Sequence, residues 1–140
     1  MRVLLDTDVV LDYLLEREPF AQTAGRLFAL NVQGVFDGYI SSITPINVFY
    51  IGRKFLERDQ LRQALKDLLL TMRVCPITHA VLSQAFALPL TDYEDAVQCA
   101  AAMASNLDVI VTRNLKDYKN TTLPVFSPAD FFNQLTSPKE

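Results

Sequence analysis

The chain has 140 residues, 50% hydrophobic and 21% charged, with a formal net charge of −3. That length suits a single domain, and the apolar half is enough for a sizeable core, which excludes disorder as the default. The acidic balance excludes a protein that grips nucleic acid through bulk positive charge, so any chemistry on nucleic acid needs a local device such as bound metal.

The first element is a short apolar strand, Val3 to Leu5, which stops at Asp6. It is too short for the core of a signal peptide. Thr7 or Asp8 is placed to cap a helix running through Leu15, and Pro19 to open a second carrying Ala24, Leu27, Phe28 and Leu30. Gly38 to Ser42 reads as a strand. Thr44-Pro45 then supplies an N-cap and a first-turn proline for a helix to about Glu57. Leu61, Ala64, Leu65, Leu68 and Leu69 have the spacing of an amphipathic helix.

Val74 to Ile77 predicts a strand, followed by a helix from Thr78 to about Ala87. Thr91-Asp92-Tyr93-Glu94 has the form of a capping box, with Thr91 as N-cap and Glu94 at N3, opening an alanine-rich helix through Ala104. Asp108 to Thr112 is the clearest buried strand. A weaker strand, Leu123 to Phe126, and a helix capped by Ser127-Pro128 follow. Residues 1–136 are expected to form one domain and 137–140 a frayed tail.

Short strands between longer helices imply βαβ units. The expected fold is therefore α/β, a three-layer α/β/α sandwich around a parallel sheet of four to five short strands. No apolar run approaches the roughly 20 residues that span a bilayer. Cys75 and Cys99 read as buried free thiols of a reducing compartment, so a cytoplasmic protein is expected.

In parallel sheets, ligands bind beyond the carboxyl ends of the strands. Asp6 directly follows the first strand and Asp8 lies two residues on; Asp12 reads as structural. Asp92 and Asp95, spaced i, i+3, share a helix face. Thr112, Asn114 and Asp117 follow the DVIV strand. Acids gathered this way repel one another unless a cation sits between them. A hard ion, Mg²⁺ or Mn²⁺, suits a few carboxylates plus waters and steadies charge on a phosphoryl group. His79 has no partners at zinc-ligand spacing, and four glycines make no phosphate loop. Asp37 and Asp108 read as turn or solvent residues.

Four blocks in order, LLDTDVVLDYLL, SSITPINVFYIGRK, DYEDAVQCAAAMASNLDVIVTRNLKDY and FSPADFF, resemble the PIN domain. The family's best-known bacterial members are VapC-type toxins, metal-dependent endoribonucleases paired with antitoxins. The resemblance implies a first acid at Asp6, a third at Asp95 and a last polar position at Asn114 or Asp117. It implies that Thr112 orients a ligand, with Thr7 and Asp8 in support. At the second position, where the family usually carries Glu, this chain has Asn47; its carbonyl can still coordinate, and Asp92 can replace the charge. Catalytic work then falls to Asp6, Asp92, Asp95 and Asp117, and metal ligation to Asp6, Asp92, Asp95, Asn47 and Asn114. Arg53, Lys54, Arg113 and Lys116 are candidates for RNA phosphate contact. An exposed apolar helix pair would suit a homodimer.

Asn47 also motivates a second reading, a PIN-like RNA- or protein-binding module that has lost catalysis. Asp6-Thr7-Asp8-Val9 further fits the D-x-D-x-[TV] opening of haloacid-dehalogenase-like phosphatases, a third reading.

Overall fold

The computed structural model describes residues 1–138. Its elements are β1 (Arg2–Leu5), α1 (Thr7–Leu14), α2 (Ala21–Val32), β2 (Asp37–Ser41), α3 (Thr44–Gly52), α4 (Arg58–Thr71), β3 (Arg73–Cys75), α5 (His79–Gln84), α6 (Tyr93–Ala104), β4 (Val109–Val111), β5 (Val125–Phe126) and α7 (Pro128–Thr136). Short 3₁₀ turns cover Ala85–Ala87 and Leu115–Tyr118. Of the expected tail, Lys139 and Glu140 lie outside the described residues.

The five strands run parallel in the order β3-β2-β1-β4-β5. Alternate side chains of a strand face opposite sides of a sheet, and β1 divides accordingly. Val3 and Leu5 join a core with Val9 of α1, Leu27 of α2, Val48 of α3, Leu61 of α4 and Phe131 of α7. Leu4 joins a second core with Val81 of α5 and the alanines of α6. Both faces are covered by helices, so β1 is apolar from Val3 to Leu5, and each such buried side chain contributes about 1.5–3 kcal/mol. The three-layer α/β sandwich expected from the sequence is the observed fold.

Several boundaries differ from expectation, each for a local reason. The N-cap of α1 is Asp6, whose carboxylate accepts from the Thr7 amide. Thr7 lies inside the helix, and its hydroxyl pairs with Thr44 instead. Likewise Thr44 caps nothing: Ile43 occupies the cap position of α3, and the Thr44 hydroxyl contacts Thr7 and Ser41. Helix α3 ends at Gly52, well before Glu57. A Cβ on Gly52 would stand 2.8 Å from Leu61 Cδ1, so the glycine permits α3 and α4 to cross closely. Glu57 instead begins α4, in a capping box with Gln60. Helix α2 starts at Ala21 because Pro19 and Phe20 form the turn before it. In α6 the cap is Asp92, not Thr91, and it accepts from the Asp95 amide at 3.0 Å.

A candidate metal centre at the sheet edge

The carboxyl ends of β1 and β4 are neighbours, with Leu5 opposite Val111. The residue after each is therefore brought to the same edge. Thr112 Oγ1 donates to Asp6 Oδ2 at 2.7 Å. From α6, Gln98 Nε2 donates to Asp6 Oδ1 at 2.9 Å and to Thr7 Oγ1 at 3.2 Å. The Thr7 amide adds a 2.7 Å bond to Asp6 Oδ1. The Tyr118 hydroxyl, at the end of the second 3₁₀ turn, lies 3.3 Å from both Asp6 Oδ2 and Asp95 Oδ1. Asp6 is only 4% exposed. A buried polar chain thus runs Ser41–Thr44–Thr7–Gln98–Asp6–Thr112 and ties both faces of the sheet to one carboxylate.

The electrostatics follow from burial and crowding. Burial pushes the Asp6 carboxyl up, the bonds from Thr112, Thr7 and Tyr118 pull it back, and Asp92 raises it further. Asp95 is pushed up to about 7, first by burial and then by Asp6, Asp92 and Asp117, all negative. Burial, Asp6 and Asp92 raise Glu94 in the same way. Asp8 reaches about 7 by burial and by Asp6, with Arg113 opposing, and its Oδ1 has no hydrogen-bond partner.

Asp6, Asp92, Asp95 and Asp117 therefore share one field, with the Thr7 amide and the Thr112 hydroxyl directed at Asp6. Asn47 is half-buried and donates through Nδ2 to Glu94 Oε1 at 3.0 Å, joining α3 to α6. Glu94 is consequently the partner of Asn47 and not of a capping box at Thr91. Asn114 is exposed at the start of the 3₁₀ turn, and its amide donates to Thr112 Oγ1. Arg53 is exposed, with its guanidinium 4.0 Å above the Tyr50 ring. Lys54 and Lys116 are also exposed.

Arg113, a candidate for phosphate contact, is paired within the fold. Its Nε lies 2.6 Å from Asp12 Oδ2 and its Nη2 3.0 Å from Asp12 Oδ1, while it stacks on Phe20. A fork–fork pair with a carboxylate 1% exposed engages Nε and Nη2 of the guanidinium. Asp12 is structural, as its position on α1 suggested.

Gln98 and Tyr118 escaped the sequence reading, and Glu94 was read only as a capping-box partner of Thr91. Gln98 had left a signal: a lone amide among Ala96, Val97, Cys99 and Ala100, all buried, needs a buried partner. Tyr118 had none, since a tyrosine ending a polar turn is common.

Among the described residues, no three His, Cys, Asp or Glu side chains already converge as a metal cage. Mg²⁺ does not need one, because it keeps several waters and takes one or two carboxylates. The donors at this edge are oxygens, from Asp6, Asp92, Asp95 and Asn47. The thiol in this helix, Cys99, is buried and pushed up to about 11, so it brings no thiolate. The excess of negative charge around Asp95 and the oxygen donor set fit a hard divalent cation.

Fold and edge together define a parallel α/β domain with an acidic cluster where its central strands end. A family model for the PIN domain matches residues 2–116, and the chain belongs to that family. This assignment displaces the phosphatase reading of Asp6-Thr7-Asp8, and Asp6, engaged by four protein donors, is not poised as a nucleophile. Among curated proteins no relative matches the sequence.

Similar solved structures include DNA-bound VapBC from Salmonella typhimurium, with TM-score 0.70 and 20% identity over 91% of this chain and 98% of that one. A toxin–antitoxin complex from Klebsiella pneumoniae gives TM-score 0.67 and 25% identity over 90% and 97%. The sarcin-ricin loop cleaving toxin VapC20 of Mycobacterium tuberculosis gives 0.64 and 15% over 77% and 86%.

Proposed function

We propose that the chain is a metal-dependent endoribonuclease, the VapC-type toxin of a toxin–antitoxin pair. The observation that carries this reading is the approach of Asp6 and Asp95 to one hydroxyl at the carboxyl edge of the sheet, inside a field of further acids. In this reading Asp6 and Asp95 hold Mg²⁺ or Mn²⁺, with Asp92, the Asn47 carbonyl and Asn114 at the rim and Glu94 added as a further carboxylate. Such an ion, when bound, lowers the pKa of its water and offsets charge developing on a phosphodiester. Thr112, Gln98 and the Thr7 amide hold the Asp6 carboxylate in place. Asp117 faces Asp95 and adds negative charge. Arg53, Lys54 and Lys116 are the cations left to meet RNA phosphates.

The neighbouring structures of toxin–antitoxin complexes support an antitoxin as partner. An apolar groove of about 600 Å³ between α2 and α4, lined by Tyr13, Phe28, Ala29, Val32, Ala64 and Leu68, offers it a surface. Ile46 and Tyr50 on α3, 63% and 60% exposed, support a homodimer. Among the described residues no helix is long and apolar enough to cross a membrane, in keeping with a cytoplasmic role.

The test is cleavage of single-stranded RNA by the purified chain with Mg²⁺ or Mn²⁺. We expect activity that EDTA removes and that Asp6→Asn or Asp95→Asn abolishes; activity retained in both variants overturns the site. Asn47 favours a second reading, a PIN-like module that binds RNA or protein without cleaving it. Calorimetry separates the two: RNA binding with no Mn²⁺ uptake supports the module.

A further inference from the structure

The lone pairs of Asp6 are fully subscribed. A carboxylate offers about four acceptor positions. The Thr7 amide and Gln98 Nε2 occupy Oδ1, at 2.7 and 2.9 Å, and Thr112 Oγ1 and Tyr118 Oη occupy Oδ2, at 2.7 and 3.3 Å. Three of these contacts are short and come from the sheet edge, the helix start and α6. The fourth is long, and its donor is shared, because the same hydroxyl lies 3.3 Å from Asp95 Oδ1. Tyr118 is 2% exposed, so its hydroxyl has no water shell to turn to. A cation held between Asp6 and Asp95 would compete with this hydroxyl for their oxygens.

We propose that the Tyr118 hydroxyl is a built-in competitor for the cation position between Asp6 and Asp95. It is a positioning residue that limits how tightly the site takes up a divalent ion. The inference rests on the metal-site reading above. Tyr118 bridges the two acids when the ion is absent and yields when it enters. Thr7, Gln98 and Thr112 keep Asp6 aimed in both states. The site therefore binds its cation more weakly than its carboxylates alone would allow.

The test is Mn²⁺ titration by calorimetry of the whole chain and of Tyr118→Phe, which keeps the ring and removes the hydroxyl. Deleting one long hydrogen bond shared between two acceptors should tighten Mn²⁺ binding by roughly three- to tenfold. A merely structural tyrosine would weaken binding or leave it unchanged when truncated. Melting with and without Mn²⁺ gives a second readout: Tyr118→Phe should melt lower than the parent without metal and gain more from Mn²⁺. Equal or weaker Mn²⁺ binding by a folded Tyr118→Phe overturns the inference alone. Absence of Mn²⁺ uptake in both proteins overturns the metal-site reading and the inference with it.

Discussion

Asn47 and Glu94 meet across the candidate site, with Asn47 Nδ2 donating to Glu94 Oε1 at 3.0 Å. The amide stands at the position where the family resemblance implies a carboxylate, and it holds a carboxylate supplied from another helix. Negative charge is thereby kept near Asp6 and Asp92, which act on Glu94 and raise it. Glu94→Gln should weaken Mn²⁺ binding about tenfold, a loss of about 1.4 kcal/mol, with little change in melting temperature. Unchanged affinity by calorimetry would reduce Glu94 to a helix-to-helix tie.

Asp95 rises from an ordinary value of 3.8 to about 7, and Asp8 does the same. A carboxyl whose folded pKa is raised contributes stability while protonated in the fold, and that contribution is fully present below about 4. It is lost as pH climbs toward 7. In EDTA the melting temperature should therefore fall between about pH 4 and pH 7. Added Mn²⁺ should flatten the fall at its upper end. A metal-free melting temperature that rises across this window would contradict the crowding of acids around Asp6.

Arg113 is bound to Asp12 in a fork–fork pair beneath the site. Removing one partner of a buried pair costs about 3–5 kcal/mol, and here Arg17, 3.9 Å from Asp12, offsets part of the loss. Arg113 keeps some exposure, so Arg113→Met should cost about 3 kcal/mol in urea denaturation. RNA affinity of the folded variant should be unchanged. Arg53→Ala and Lys54→Ala should show the reverse pattern, weaker RNA binding at parental stability, in a filter-binding assay.

Gly52 lets α3 cross α4, and an added Cβ would meet Leu61 Cδ1 at 2.8 Å. Gly52→Ala should destabilise by about 1–3 kcal/mol through overpacking. Because α3 carries Thr44 and Asn47, the same change should disturb the Thr7–Thr44 contact. Gly52→Ala with Leu61→Ala should recover part of the loss, measured as a double-mutant cycle. No coupling between the two would place the strain elsewhere.

The sequence made the layers legible because Val3 to Leu5 and Val109 to Val111 are continuous apolar runs, the pattern of strands covered on both faces. It also brought out Asp6 and Thr112, since each directly follows such a strand. Caps were read less well. Thr7, Thr44 and Thr91 all looked like helix starters, yet Thr7 and Thr44 spend their hydroxyls on a buried network and Thr91 yields to Asp92. A local motif cannot announce a partner distant in sequence. The same holds for Arg113, whose partner Asp12 lies on the opposite side of the chain's order, and for Gln98 and Tyr118, whose meaning comes only from Asp6.

The hydrogen bonds on Asp6 span the chain almost from end to end: Thr112 is 106 residues away and Tyr118 112. Because β1 is the central strand and β4 its late neighbour, a nascent polypeptide carries its first acid long before it carries the groups that orient it. The cluster cannot assemble before residue 118 has been made. If it cuts RNA, the fold itself delays that activity until Thr112 and Tyr118 have been made, leaving time for a partner to be at hand.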